Sequence, residues 1–318
     1  MKPKKLLKIL DSKRCIVYRA DELMYQYILQ TFTTPLMESA AFGYFDLVRF
    51  LVDTVGCKVN FTDESNKSPL YKASEGGKTD VVNFLCVNNA SVSQCNTYGQ
   101  SPLYVACKGG HKETVNLLLQ NKADLSHDEA LGTCPLHVAC AGGYVDIVKL
   151  LWQNITDLSQ SGLLGGSFKK CLIGHKCPEK LLHKYKVNSP QLNTNYSLQI
   201  YRMSESPLYV ACKGGHIDIV KLLLQYNYDV PIDKRGATPL FAACEGGHKE
   251  IVKVLLDKKA DISQGDSFAV DFSKLYAACI NGHTDIVKLL LQTNDNVHLF
   301  KEFELFFFII CCLSKGTY

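Results

Sequence analysis

The sequence predicts an all-α solenoid of stacked helix–turn–helix units, with β-turn or hairpin loops protruding along one edge. Three observations carry that expectation. One phrase recurs, as Ser68-Pro-Leu-Tyr-Lys-Ala-Ser-Glu-Gly-Gly77, Ser101-Pro-Leu-Tyr-Val-Ala-Cys-Lys-Gly-Gly-His111, Cys134-Pro-Leu-His-Val-Ala-Cys-Ala-Gly-Gly-Tyr144, Ser206-Pro-Leu-Tyr-Val-Ala-Cys-Lys-Gly-Gly-His216 and Thr238-Pro-Leu-Phe-Ala-Ala-Cys-Glu-Gly-Gly-His248. Its prolines, at 35, 69, 102, 135, 207 and 239, lie 34, 33, 33, 72 and 32 residues apart. The period is 33 with one double-length gap, and a fixed period of this size marks a repeat architecture. A second phrase follows the first, as in His216-Ile-Asp-Ile-Val-Lys-Leu-Leu-Leu224, and it is apolar on more than one stripe. A helix of that kind is packed on both sides, as between stacked neighbours.

Each unit is legible residue by residue. Ser or Thr before Pro supplies an N-cap oxygen, and Pro at N1 lacks only a donor that would be orphaned there anyway. The first helix is short and ends at Gly-Gly, where left-handed backbone is cheap. The second helix recurs as Tyr144-Val-Asp-Ile-Val-Lys-Leu-Leu-Trp152, His248-Lys-Glu-Ile-Val-Lys-Val-Leu-Leu256 and His283-Thr-Asp-Ile-Val-Lys-Leu-Leu-Leu291. Its first turn holds Asp146, Asp218, Glu250 or Asp285, which suits the helix dipole, and a Lys follows three residues later. Turns rich in Asp, Asn and Gly, such as Asn96-Thr-Tyr-Gly99 and Asp233-Lys-Arg-Gly236, then lead to the next cap. Weaker copies begin at Thr34 and at Ser273, where Lys274 replaces Pro.

These motifs resemble the ankyrin repeat family, whose unit is a turn plus two helices over about 33 residues with a Thr-Pro-Leu-His-x-Ala signature. The resemblance covers about 33–158 and 204–294, with six clear repeats and about one degenerate repeat. The sequence departs from the signature in places. Its His is Tyr at 71, 104, 209 and 276, Phe at 241, and His only at 137. The Thr–His hydrogen bond of the family is then unavailable in most repeats, and Cys134 is a poor cap.

In order, the chain is predicted as an N-terminal capping segment (1–32), four repeats (33–158), a degenerate repeat or insertion (159–203), further repeats (204–294) and an apolar tail (295–318). In the gap, Gly174-His175 and Pro178-Glu-Lys-Leu-Leu-His-Lys-Tyr185 look like a degraded second helix with about six extra residues around it. A loop, an unfolded segment or a gene-model error would read much the same. The basic amphipathic start, Lys4 to Leu10, reads as an end cap, with contact to an anionic membrane surface as the alternative. The tail's apolar run, Leu305–Leu313, has about half the length of a spanning helix, so no transmembrane helix is expected.

The composition excludes several classes. At 47% hydrophobic and 21% charged, the chain of 318 residues is a folded protein. A net charge of +4 lacks the basic stripe of a nucleic-acid binder, so no nucleic-acid partner is expected. Fourteen cysteines, without a signal peptide, read as free thiols in a reducing compartment. Cys107, Cys140, Cys212, Cys244 and Cys279 share one place in the first helix and read as a buried packing ladder. His111, His216, His248 and His283 share the start of the second helix and read as structural donors to the neighbouring loop backbone. Cys171, His175, Cys177 and His183 fit no common zinc spacing. Nucleophile and phosphate-binding motifs are absent from the sequence. No catalytic residue, cofactor or metal is assigned, and the unassigned segments are too short for a catalytic domain.

The resemblance implies a protein partner held on the concave face, which the family builds from the fingertips and the ends of the first helices. At the helix ends stand Glu75, Lys108, Lys213 and Glu245. At the fingertips stand Lys67, Tyr98, Gln100, Leu131, Arg202, Lys234 and Arg235. Mixed charge with Tyr and Arg suits a protein or peptide more than a polyanion. The expected protein is a non-enzymatic scaffold or adaptor, monomeric, intracellular and cytoplasmic. The rival is a regulatory or recognition region of a larger enzyme or membrane-associated protein.

Overall fold

A computed structural model describes the backbone of residues 7–11, 14–18, 33–125, 133–160, 206–226, 238–258 and 268–293, and the side chains of 33–125, 133–157, 206–226, 238–258 and 274–292. Among these residues the chain forms one β-hairpin and fourteen α-helices. They divide into two compact units. One holds the described residues of Met1–Ala139 and Asp146–Cys171. The other holds Cys140–Val145 and the described residues of Ser189–Tyr318.

The first unit opens with β1 (Leu7–Asp11) antiparallel to β2 (Arg14–Tyr18), with Ile9 opposite Ile16. This hairpin is the one departure from helix among the described elements. Ile9, Ile16, Val17 and Tyr18 are residue types that favour strands. β2 lies against α1 (Pro35–Phe42). Then come α2 (Phe45–Arg49), α3 (Pro69–Glu75), α4 (Thr79–Val87), α5 (Pro102–Gly109), α6 (Lys112–Gln120), α7 (Pro135–Ala141) and α8 (Val145–Gln160); the end of α7 and the first residue of α8 belong to the other unit.

The caps are those the sequence predicts. Thr34 Oγ1 accepts the Met37 N–H at 3.3 Å, and Ser68 and Ser101 accept from Tyr71 and Tyr104, each at 3.1 Å. α2 continues as a single π turn, Phe50–Thr54, in which the Val55 N–H donates to the Phe50 carbonyl. A π turn holds one residue more than an α turn. It absorbs the extra residue in the 34-residue step between Pro35 and Pro69.

The second unit holds α9 (Pro207–Lys213), α10 (Ile217–Gln225), α11 (Pro239–Gly246), α12 (Lys249–Asp257), α13 (Phe268–Ile280) and α14 (Thr284–Thr293). Ser206 and Thr238 cap α9 and α11, each accepting at 3.1 Å. α13 is longer than its counterparts and begins at Phe268 rather than at Lys274. Pro at N1 removes a donor and disfavours helix in the residue before it. With Lys274 in its place, the helix runs on toward the N-terminus.

In both units, one Leu of each first helix and a Val–Leu pair of the second helices form the core, except in the last repeat, where Val287 and Leu290 are half-buried. Leu70, Leu103, Val82, Leu85, Val115 and Leu118 are fully buried in the first unit, and Leu208, Val220, Leu223 and Val252 in the second. The degenerate segment predicted at 159–203 lies outside the described residues but for the end of α8, and the apolar tail lies wholly outside them.

Candidate protein-binding face

Three of the four predicted binding residues at the helix ends, Glu75, Lys213 and Glu245, stand on a backbone that the next repeat holds in place. His111 Nε2 lies 3.1 Å from the Glu75 carbonyl, His248 Nε2 3.0 Å from that of Lys213, and His283 Nε2 3.2 Å from that of Glu245. A carbonyl only accepts, so each Nε2 carries the proton. These histidines bond the backbone of the neighbouring repeat, as expected of them, but at the last turn of its first helix rather than in a loop. In the second unit His216 Nε2 reaches the Ala141 carbonyl at 3.1 Å, across 75 residues of sequence. The other three bonds span 36, 35 and 38 residues.

The glycines make room for the rings. A Cβ on Gly77 would strike His111, and one on Gly215 would strike His248. Both glycines also have positive φ, +64° and +76°, so their conformation and their neighbours both exclude a side chain.

Above this frame the side chains differ. Lys213 Nζ lies 3.7 Å from Glu245 Oε2, and also 5.8 Å from the centre of the Tyr209 ring. Both charges of the bridge are roughly half exposed. Glu75 and Lys108 are exposed and make no such bridge with each other.

The fingertips of the first unit are fixed by a side-chain network. Asp63 Oδ1 accepts the Lys67 N–H at 2.8 Å, and Asn96 Oδ1 accepts those of Tyr98 and Gln100, each at 2.9 Å. Adjacent fingers are joined by Thr97 N–H to the Ser65 carbonyl and by Asn66 Nδ2 to that of Cys95. Asn60 reaches the next repeat twice, donating to the Asn89 carbonyl and accepting from the Ser91 N–H. Tyr98 projects from its finger with 60% of its surface exposed. Lys67 holds its ammonium 5.3 Å from the centre of the Tyr71 ring.

Gln100 differs from the other fingertip residues. Its Oε1 accepts from Tyr71 Oη at 3.1 Å and from Asn96 Nδ2 at 3.0 Å. Tyr104 Oη likewise meets Thr133 Oγ1 at 3.2 Å. Tyr71 and Tyr104, which replace the signature His, therefore reach the finger of the next repeat and supply a polar link of their own. Reading Tyr71 only as a lost His hid this role of Gln100. The longer side chain and its terminal hydroxyl were the available signal. Leu131, Arg202, Lys234 and Arg235 lie outside the described residues, as do Cys171, His175, Cys177 and His183.

Four rungs of the predicted cysteine ladder, Cys107, Cys140, Cys212 and Cys244, are buried packing residues, while Cys279 is only half-buried. Burial pushes the Cys107, Cys140 and Cys212 thiols far up, and that of Cys244 to about 12. Thiols so placed stay protonated and inert. Eight described cysteines are free thiols, while Cys134 is disulfide-bonded, against the expectation for all fourteen. Among the described residues no helix is long and apolar enough to cross a membrane.

A sequence model described as ankyrin repeats (3 copies) matches residues 14–94, 77–161 and 172–266, and a single ankyrin repeat model matches 275–300. No curated protein matches the sequence. Among solved structures, the human ASB11 ankyrin repeat domain is similar at a TM-score of 0.54 and 26% identity, covering 77% of this chain and 98% of that one. Ankyrin repeats are in general protein-interaction modules without catalytic activity. Matched over most of its length by ankyrin models, and folded into capped helix pairs joined by pinned turns, the chain belongs to the ankyrin repeat family.

Proposed function

We propose that the chain is a non-enzymatic scaffold or adaptor that holds a protein partner on the face formed by the first-helix ends and the fingers. The observation that carries this reading is the contrast at the helix ends. The carbonyl beneath Glu75, Lys213 and Glu245 is bonded in the same way each time, while the exposed side chain above it alternates in charge. A rigid frame with variable heads is suited to recognition, because little order is lost when a partner binds. Tyr98, exposed on a finger with a bonded backbone, supplies an aromatic contact of the kind enriched at interfaces.

The test is a pull-down from native lysate with quantitative mass spectrometry. It compares the wild type with the variant Glu75→Lys, Lys108→Glu, Lys213→Glu and Glu245→Lys. The last two substitutions exchange the partners of an existing bridge, so the fold is expected to survive, which circular dichroism checks. Like charges brought together across an interface cost several kcal/mol, so capture of a true partner falls by about tenfold or more. Unchanged capture of every partner removes this face from consideration.

A further inference from the structure

The first and the last described repeats leave open what the interior repeats bury, and they do so on opposite sides. Three positions after the His site, Val81, Thr114 and Ile147, and in the second unit Ile219, Ile251 and Ile286, are 0 or 1% exposed. In the Thr34 repeat the same place holds Leu47, which is 40% exposed. The last repeat buries its residue there and the first does not, so the cover comes from the preceding repeat. The Val–Leu pair of the second helix behaves in reverse. Val48 and Leu51 of the Thr34 repeat are fully buried, while Val287 and Leu290 of the last repeat are only half-buried. In the first helix, Met37 is likewise fully buried, and its counterpart Tyr276 is 39% exposed. Cover for these positions comes from the following repeat.

Contacts between neighbouring repeats agree with both directions. Phe84, the counterpart of Phe50, meets Phe45 of the preceding repeat edge-on at 5.7 Å. Tyr71, the counterpart of Tyr276, donates to Gln100 of the following repeat. Gly282 keeps the left-handed turn, at φ +74°, whose equivalents Gly77, Gly215 and Gly247 lie against the ring of the following repeat. At the front, β2 lies against α1, and Tyr44, Leu47 and Phe50 stay exposed on the second-helix row. They form the leading half of a repeat–repeat interface. Tyr276, Val287 and Leu290, with the turn at Gly282, form the trailing half.

We propose that the leading face of one chain stacks on the trailing face of a second copy, joining the two as one repeat joins the next. The two faces are the separated halves of an interface that the chain already builds between its interior repeats, so they match in chemistry and in spacing. Tyr44 brings a ring to the turn at Gly282 as His111 does to that at Gly77. Apolar surface removed from water drives such contacts, and in a repeat array each layer rests mainly on its neighbours. A second copy is the occupant that carries both halves. The contact is heterologous, since leading and trailing faces differ, so it is not limited to a symmetric pair. The chain then self-associates, in place of the monomer expected from its sequence.

The test is analytical ultracentrifugation of the full chain over a wide range of concentration. The average mass is expected to rise with concentration above that of one chain. A constant mass of one chain, as when its own segments cover the faces, overturns the proposal. Two variants then separate this stacking from every other contact. The leading-face variant carries Leu47→Asp and Phe50→Asp, and the trailing-face variant carries Tyr276→Asp. All three side chains are exposed, so the fold is expected to survive, which circular dichroism checks. Where helix is lost, serine replaces aspartate at the same positions. Each variant alone is expected to remain a single chain, because burying a polar group without a partner is costly. Their equimolar mixture is expected to give a species of twice that mass, since each variant keeps one intact half. Assembly of either variant alone, or a mixture that stays as single chains, overturns the proposal.

Discussion

Glu75 and Lys108 in the first unit, and Lys213 and Glu245 in the second, place opposite charges at successive helix ends. Only the second pair closes into a bridge, at 3.7 Å. All four follow from one repeat phrase, but the carbonyls of Glu75, Lys213 and Glu245 meet an imidazole of the next repeat, whereas Lys108 is followed by a repeat with Tyr144 at that place. The difference lies in the side chains around them. Lys213 also sits over the Tyr209 ring, which favours one arrangement of its long stem. Charges that look equivalent in sequence are therefore not equally available to a partner. In the first unit they stand unbridged, and in the second a partner must compete with an existing contact.

That comparison can be broken at three depths. The largest effect is expected where both pairs are alike, in the glycine beneath each helix end. Gly77→Ala and Gly215→Ala each place a Cβ on left-handed backbone and against an imidazole. Each should cost about 2 kcal/mol or more, read as a lower midpoint in urea unfolding. Next come the histidines. His111→Ala and His248→Ala each remove one bond to a carbonyl, for about 1 kcal/mol. They should also speed amide exchange in the turns after Glu75 and Lys213. Equal losses in the two units would show that the frame is common to both.

The smallest effect is the one that separates the units. A double-mutant cycle on Lys213 and Glu245 should give a coupling of about 0.2–1 kcal/mol, as exposed bridges do. It should fade at high salt. The same cycle on Glu75 and Lys108 should give none. A coupling in the first unit as large as in the second would erase the contrast.

Much of the frame could be read from short stretches of sequence. Ser-Pro and Thr-Pro mark where each first helix begins, because a cap oxygen and a fixed φ act within one turn of helix. Gly-Gly marks where it ends. The 34-residue step could be counted from the prolines, but not located. Only the structure puts it in the π turn at Phe50–Thr54. The loss of Pro at Lys274 pointed to a weaker repeat, and its visible result is a longer helix. The hairpin at 7–18 is not legible in sequence, because Lys4 to Leu10 carries the charge pattern of an amphipathic basic segment. Strand pairing depends on the partner strand as well as on the residues themselves.

The helix pairs, their caps and the buried stripes are legible in the chain because each depends on residues within a few positions of one another, and the period is legible because the same phrase recurs about every 33 residues. Tertiary structure alone decided which groups meet between repeats. Gln100 reads as a surface residue until Tyr71 Oη is seen to donate to it. Leu47 reads as a buried stacking residue until its exposure is measured. His216 is the clearest case. Its equivalents bond carbonyls 35 to 38 residues back, which would place its partner inside 159–203. It bonds Ala141 instead, 75 residues back. A hydrogen bond depends on position in space, which no local pattern records.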